Sequence, residues 1–391
     1  MSLAGSSLKP STQSASGSKQ EELIVSFITR STATLGVIAA ASLALAGCAS
    51  APAATTAAPV NYKACMVSDS GGFKDASFNE EAYNGLLNAQ KDLGVQVGTV
   101  ESPNNATQTD YTSGVQSMVD AKCNLIVNVG FNLAVATRDS AKANKSIDYA
   151  LIDSALSNDD YSPLSLSNVK PIQYDTAQAA FLAGYLAAGT TKTGKVATYG
   201  GMLFPSVTIF MDGFKQGVDY YNKVKGTKVV VLGAQGADSS KWAATGDFND
   251  QSKGKTLTEQ FFAQGADIIL PVAGPVGIGS GQATLDHKGT LVIGVDSDWY
   301  GIPTHKDYKA NILTSIEKKM AGAVESVIKD GVDGKFMGGD ANQYVGTLAN
   351  GGVMIAPQHD VAYPSGIQAE LDQLKADIIA GKIKVTSIYS K

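Results

Sequence analysis

The chain predicts an α/β protein of two lobes, each a doubly wound parallel sheet, with a ligand cleft where they meet. Short apolar runs of strand composition alternate with longer segments of helical period from Lys63 to Lys329, and repeated βα units imply parallel sheets with helices on both faces. The alternation divides into two sets near Lys170–Thr176. Glycines, acids and aromatics stand just beyond several strand C-termini, the place where open α/β sheets take ligands.

The elements begin only after a leader. Leu35–Gly47 is a short apolar run with Arg30 upstream, and it ends in Leu45-Ala46-Gly47-Cys48. Its charged, apolar, small-residue order is that of a secretory signal with a lipoprotein-type cleavage site, and it falls short of the roughly 18 residues a membrane span needs. Cleavage before Cys48 would leave that cysteine to carry lipid, so residues 1–48 are read as the signal. Glu21 and Glu22 are unusual for a signal's first region, and Met1–Ile24 is read as an added tag or an early start codon. Residues 49–60 are small, uncharged and contain proline, which suits a flexible tether. About 330 residues follow, enough for two domains with sizeable cores.

In the first set the strands are expected at Lys63–Ser68, Val95–Val100, Leu125–Val129, Tyr149–Ile152 and Val169–Tyr174, with helices at Asn79–Leu93, Thr109–Ala121 and Leu133–Ala143. In the second, strands at Val196–Tyr199, Lys228–Leu232, Ile268–Val272 and Leu291–Val295 alternate with helices at Thr176–Ala188, Val207–Asn222 and Lys255–Ala263. A last helix is expected over Ser315–Lys329.

Composition narrows the function. The formal net charge is −5, and only two of the 31 basic residues are arginines, Arg30 and Arg138. No basic face for nucleic acid is visible, and arginine-built phosphate clamps are disfavoured. A neutral or nearly neutral ligand fits better. With Cys48 set aside, Cys65 and Cys123 remain as a pair that could bridge in an oxidising compartment or stay as buried thiols. His287, His305 and His359 are too scattered for a metal site, and neither metal nor cofactor is expected.

The most informative stretch is Met66–Leu86, MVSDSGGFKDASFNEEAYNGL. A strand end carrying Asp69 meets a Gly71-Gly72 turn and a helix start that Ser77 or Asn79 can cap. Phe78 offers a ring and Asn79 an amide that both donates and accepts. Gly130-Phe131, Asp153, Gly274 and Asp296 each follow an apolar run. Any one could be an ordinary strand end, yet all can face one cleft. Phe248, in TGDFNDQSKGKT, sits in a polar loop with little core to fill. Lys318, read as beginning a helical stretch, would by itself be a solvated lysine. Trp242 could add a third aromatic or merely pack the loop before Phe248, and packing is the favoured expectation.

The ordered motifs DSGGFKDASFNEEAYNGL, CNLIVNVGF, YALID, GDFNDQSKGK, GADIILPVAG, VIGVDSD and LTSIEKK, with KADIIAGKIKV near the end, resemble the basic membrane protein family of substrate-binding lipoproteins, whose best understood members are purine nucleoside receptors serving ABC importers. The resemblance runs through the whole chain after the tether. It implies a type I periplasmic-binding-protein fold with three crossing segments. Lobe 1 would comprise residues 61–172 and about 313–334, and lobe 2 residues 173–312 and about 335–391. It also implies that Phe78 and Phe248 clamp a purine from opposite lobes. Asn79 and Asp153 would read the base edge, Asp296 and Lys318 would hold ribose hydroxyls, and Asp69 and Gly274 would complete the pocket. The implied partners are a nucleoside and an ABC permease, with a lipid-anchored monomer acting at the outer face of the cell membrane. Asn132 and Ala244-Thr245-Gly246 depart from the expected pattern and bear on base selectivity.

Three other readings compete. A sugar or signalling-molecule receptor would share the fold, since fold does not fix ligand. A structural surface lipoprotein would lack an enclosed cleft. A lipid-anchored hydrolase could start from the glycine run Gly274–Gly281 or the SKGKT of Ser252–Thr256, but neither gives a full dinucleotide or P-loop fingerprint. No G-x-S-x-G elbow appears.

Overall fold

The computed structural model describes residues 57–387; the signal through Cys48, with its expected lipid attachment, lies outside them. The first sheet is built by β1 (Lys63–Val67), β2 (Gln96–Val100), β3 (Leu125–Val129), β4 (Asp148–Ile152) and β5 (Val169–Tyr174). Between them run α1 (Phe78–Leu93), α2 (Gln108–Asp120) and α3 (Ala134–Ala143). The second half continues with α4 (Thr176–Thr190), β6 (Lys195–Gly200), α5 (Pro205–Lys225), β7 (Val230–Leu232), α6 (Gln251–Ala263) and β8 (Ile268–Val272). Then come α7 (Val276–Asp286), β9 (Leu291–Asp296) and β10 (Ile312–Lys318). The chain ends with α8 (Met320–Val332), β11 (Tyr344–Gly346), β12 (Val353–Ile355) and α9 (Ile367–Ile379).

The two six-stranded sheets have the orders β11-β5-β4-β3-β1-β2 and β12-β10-β9-β8-β6-β7. Position for position, β1–β5 correspond to β6–β10. All pairings are parallel except the antiparallel β10–β12 edge pair. Strands β3 and β8 are buried at every residue, as expected of central parallel strands covered on both faces. Both sheets and the helices packed on them lie within the described body, which therefore carries its own cores.

The chain passes between lobes three times: from β5 into α4, from β10 into α8, and between β11 and β12. Helix α4 packs on α5, α9 and β10, and α8 packs on α1. The boundaries read from sequence need correction here. Ile312–Lys318, expected in the first lobe and as part of a helix, is a strand of the second sheet paired with β9. All seven of its residues are buried, so it shows no period-2 alternation, and no glycine or proline separates it from α8. Tyr344–Gly346, expected in the second lobe, joins the first sheet beside β5. The expected tether also stops short of residue 60: the Ala57 N–H donates to the Lys91 carbonyl and the Val60 N–H to that of Gly94, both at 3.0 Å.

The question left open for the cysteines is answered by a disulfide between Cys65 on β1 and Cys123 before β3, with Cα atoms 6.0 Å apart. It ties neighbouring strands of the first lobe. The rival glycine motifs are structural. Gly279 lies so close to α6 that a Cβ would sit 1.9 Å from the Gln251 carbonyl oxygen. Ser252–Thr256 forms the first turns of α6, where the Asp250 side chain accepts the Ser252 N–H and Lys253 pairs with Asp247 and Lys255 with Asp286, both at 2.7 Å. Trp242 is buried in the core, as expected.

Candidate functional site

A cleft opens between the C-terminal edges of the two sheets, and Asp69, Phe78, Asn79, Asp153, Phe248, Gly274, Asp296 and Lys318 all line it. They arrive from both lobes. Asp69, Phe78, Asn79 and Asp153 come from loops and helix starts of the first sheet, and Phe248, Gly274, Asp296 and Lys318 from the second.

The corner after β1 is set by an acid the sequence reading passed over. Asp75 is buried, and its carboxylate accepts the N–H groups of Ser77, Asn79 and Glu80 at 2.9–3.0 Å. It thus satisfies the open donors at the start of α1. Ser77 occupies the capping position but does not cap; its hydroxyl donates across the cleft to Asp296 Oδ2 at 2.7 Å. Asn79 lines the cleft and braces the corner. Its Oδ1 accepts the Asp69 N–H, while Nδ2 donates to the Ser70 carbonyl and to Asp75. Both amide hydrogens are used within the corner, and Oδ1 keeps a second lone pair.

Asp69 is held by Tyr111 Oη at 2.6 Å, the Ser70 N–H at 2.7 Å and Asn132 Nδ2 at 3.1 Å. Burial pushes its carboxyl above the usual range, and these hydrogen bonds oppose the shift. Asn132, which departs from the expected pattern, thereby orients a cleft acid.

At the ends of β4 and β9 stand Asp153 and Asp296, with φ of 57° and 70°. Left-handed backbone is uncommon outside glycine, and such strain concentrates at functional sites. The two strands hold the same place in their sheets. Both acids face Lys318 at the end of β10: Lys318 Nζ pairs with Asp153 Oδ2 and lies 3.8 Å from Asp296 Oδ1. Burial raises the Asp153 carboxyl, and the Lys318 ammonium pulls it back. The ammonium also sits 4.9 Å from the Phe210 ring centre and 5.2 Å from that of Phe78, a desolvated cation–π setting. The resemblance implied a base-edge role for Asp153 and a ribose role for Asp296 and Lys318; in the structure the three side chains meet in one cluster.

The facing wall is apolar. Phe204, Val207 and Phe210 at the start of α5, together with Phe248, Val272 and Ala273, complete the lining. Phe204 and Phe248 rings are 6.1 Å apart. Phe248 lies over Gly201, where a Cβ would come within 2.3 Å of its ring. On the rim, Phe131 of the first lobe stacks on Phe204 of the second at 5.2 Å. Phe204 and Phe210 were missed. Their signal was Leu203-Phe204-Pro205 directly after a strand, with proline at the first turn of the helix that follows.

Among the described residues no helix is long and apolar enough to cross a membrane, and no group of three or more His, Cys, Asp or Glu is placed to hold a metal ion. A buried cleft between two lobes, rimmed by lobe-to-lobe contacts, is the arrangement of a protein that encloses a small molecule.

Comparison with known proteins agrees. Residues 62–388 match the family model described as ABC transporter substrate-binding protein PnrA-like, Bmp. The chain is similar to the ABC transporter nucleoside-binding protein BmpA of Lactococcus lactis subsp. cremoris, with 32% identity over 90% of this chain and 98% of that one. It is also 28% identical to basic membrane protein A of Borreliella afzelii over 83% of this chain and 91% of that one. Among solved structures, an ABC transporter solute-binding protein from Aeropyrum pernix K1 superposes with a TM-score of 0.68, 26% identity and coverage of 83% and 92%. Such proteins serve ABC importers outside the cytoplasm and are defined by binding rather than catalysis. The chain belongs to the Bmp family of PnrA-like ABC transporter substrate-binding proteins.

Proposed function

We propose that this protein captures a nucleoside, with a purine base preferred, and presents it to an ABC importer from a lipid anchor at the outer face of the membrane. The observation that carries the reading is the pairing, in one cleft, of an aromatic wall with an acid–lysine cluster. Phe78 and Phe248 stand on opposite lobes to take a flat base, and base–aromatic stacking is worth about 1–3 kcal/mol per base. Asp153, Asp296 and Lys318 supply acceptors and a donor for ring N–H groups and sugar hydroxyls. The cleft holds four carboxylates, Asp69, Asp75, Asp153 and Asp296, against the one ammonium of Lys318, so a phosphorylated nucleotide would meet repulsion where a nucleoside would not. Nucleoside binding in the Lactococcus relative supports the same reading.

Ligand binding requires no covalent step. A ligand touching both lobes favours the closed state by its differential affinity for it. Thermal denaturation of the body beginning at Ala57, with inosine, adenosine, guanosine or ribose, tests the proposal. Ligand at about a hundredfold above its Kd should add about 2.7 kcal/mol of stability. Stabilisation by nucleosides and not by ribose is expected; the reverse would move the assignment to a sugar receptor.

A further inference from the structure

At the rim the lobes are joined by direct hydrogen bonds. Asn249 Nδ2 of the second lobe donates to Ser70 Oγ at 3.0 Å and to the Asn104 carbonyl at 3.2 Å, both on the first lobe. Ser70 Oγ in turn donates to that same carbonyl at 2.7 Å. The loop carrying Asn249 is pre-set. Its N–H is bound by Asp247 Oδ1 at 2.6 Å, and the other oxygen of Asp247 is held by Lys253 at 2.7 Å. On each side the bridging residue is the chain neighbour of a cleft residue: Asn249 follows Phe248, and Ser70 follows Asp69. Making the bridge therefore places an aromatic of one lobe and an acid of the other in their closed positions together.

We propose that Asn249 is the latch of the closed cleft, a positioning residue that sets how long a ligand stays rather than which ligand enters. The inference rests on the binding role of the cleft and not on the identity of its ligand. Hydrogen bonds between lobes stabilise the closed state whether or not a ligand contributes, so the latch populates closure in advance and slows reopening. Two neutral hydrogen bonds of ordinary net strength predict about tenfold faster dissociation on their loss.

The test uses the body beginning at Ala57, in which both remaining cysteines are tied in the disulfide. Spin labels at Leu87→Cys and Val230→Cys, exposed sites on the two lobes, report the distance between lobes. In ligand-free protein the short-distance population should fall in Asn249→Ala and again in Ser70→Ala. The double variant should change it by less than the sum, because the two residues share one bond. With inosine as probe, Asn249→Ala should release ligand about tenfold faster while association changes by less than about twofold. A distance distribution unchanged by Asn249→Ala, or a parent protein with no closed population before ligand is added, overturns the latch. Absence of binding by inosine, adenosine and guanosine alike in the parent would overturn the nucleoside reading, and the distance measurement would still decide the latch.

Discussion

The two lobes share a topology and divide the chemistry. At the end of β1 the first lobe places Asp69, Asp75 and Asn79 around a single ring, Phe78; at the end of β6, the corresponding strand, the second places Phe204, Val207 and Phe210. At the ends of β4 and β9 the lobes agree, each presenting a left-handed aspartate. At the ends of β5 and β10 they part again, as Tyr174 and Lys318, with the ammonium 5.9 Å from the tyrosine ring centre. One fold used twice thus supplies a polar wall, an aromatic wall and, at the seam, a charged cluster that neither lobe completes alone. A ligand with a polar edge and two flat apolar faces suits such a cleft.

The largest expected effect comes from breaking that seam. Asp153→Asn keeps a residue tolerant of left-handed backbone while leaving the Lys318 ammonium without its main partner. Removing one member of a buried pair costs about 3–5 kcal/mol, measurable by denaturant unfolding. Adding Lys318→Met should recover most of that stability without restoring binding. If Asp153→Asn unfolds like the parent protein, the cluster contributes nothing to the fold.

Next is the covalent asymmetry, since only the first lobe carries a disulfide. Reducing Cys65–Cys123, which lie 58 residues apart, should cost about 2–4 kcal/mol. Hydrogen exchange should register the loss in β1–β3 and leave β6–β9 protected. Equal loosening of both lobes would mean that they unfold as one unit.

The aromatic wall is tested by Phe248→Ala, which should weaken nucleoside binding by about 1–3 kcal/mol with little change in unfolding midpoint, because Phe248 lies on a loop. Unchanged affinity in the folded variant would remove Phe248 from the site.

The smallest effect separates the lobes by pH. Burial raises the Asp148 carboxyl in the first lobe from 3.8 to about 6. The folded state there holds its proton more tightly than the unfolded one, so this lobe gains stability as pH falls from 6 towards 4. In the second lobe burial lowers the His305 imidazole from 6.5 to about 4. Its folded state resists protonation, and stability is lost as pH falls through the same window. Asp148→Asn should flatten the first dependence and His305→Gln the second, read by lobe-resolved hydrogen exchange between pH 4 and 6.5.

Much of this was legible in the chain. Strand ends marked by Asp69, Asp153, Gly274 and Asp296 led to one cleft because the C-terminal edge of a parallel sheet is fixed by connectivity. What escaped notice has physical reasons. Strand β10 is buried throughout, so its pattern matches a buried helix as well as a strand. Strands β11 and β12 have three residues each, and their partners rather than their own sequence make them strands. The resemblance implied a base-edge role for Asn79, and no one-dimensional pattern shows that Asp75 and Ser70 also engage its amide. The role of Asn249 is invisible along the chain because its partners lie 179 and 145 residues away.

The central claim, a cleft shaped for a base joined to a sugar, is met most directly by calorimetric titration of the body beginning at Ala57. The panel is adenosine, guanosine, inosine, cytidine, uridine, adenine and ribose. Tight one-to-one binding of nucleosides, purines foremost, with adenine and ribose much weaker, is the predicted result. No heat from any nucleoside, in protein shown to be folded and ligand-free, would contradict it.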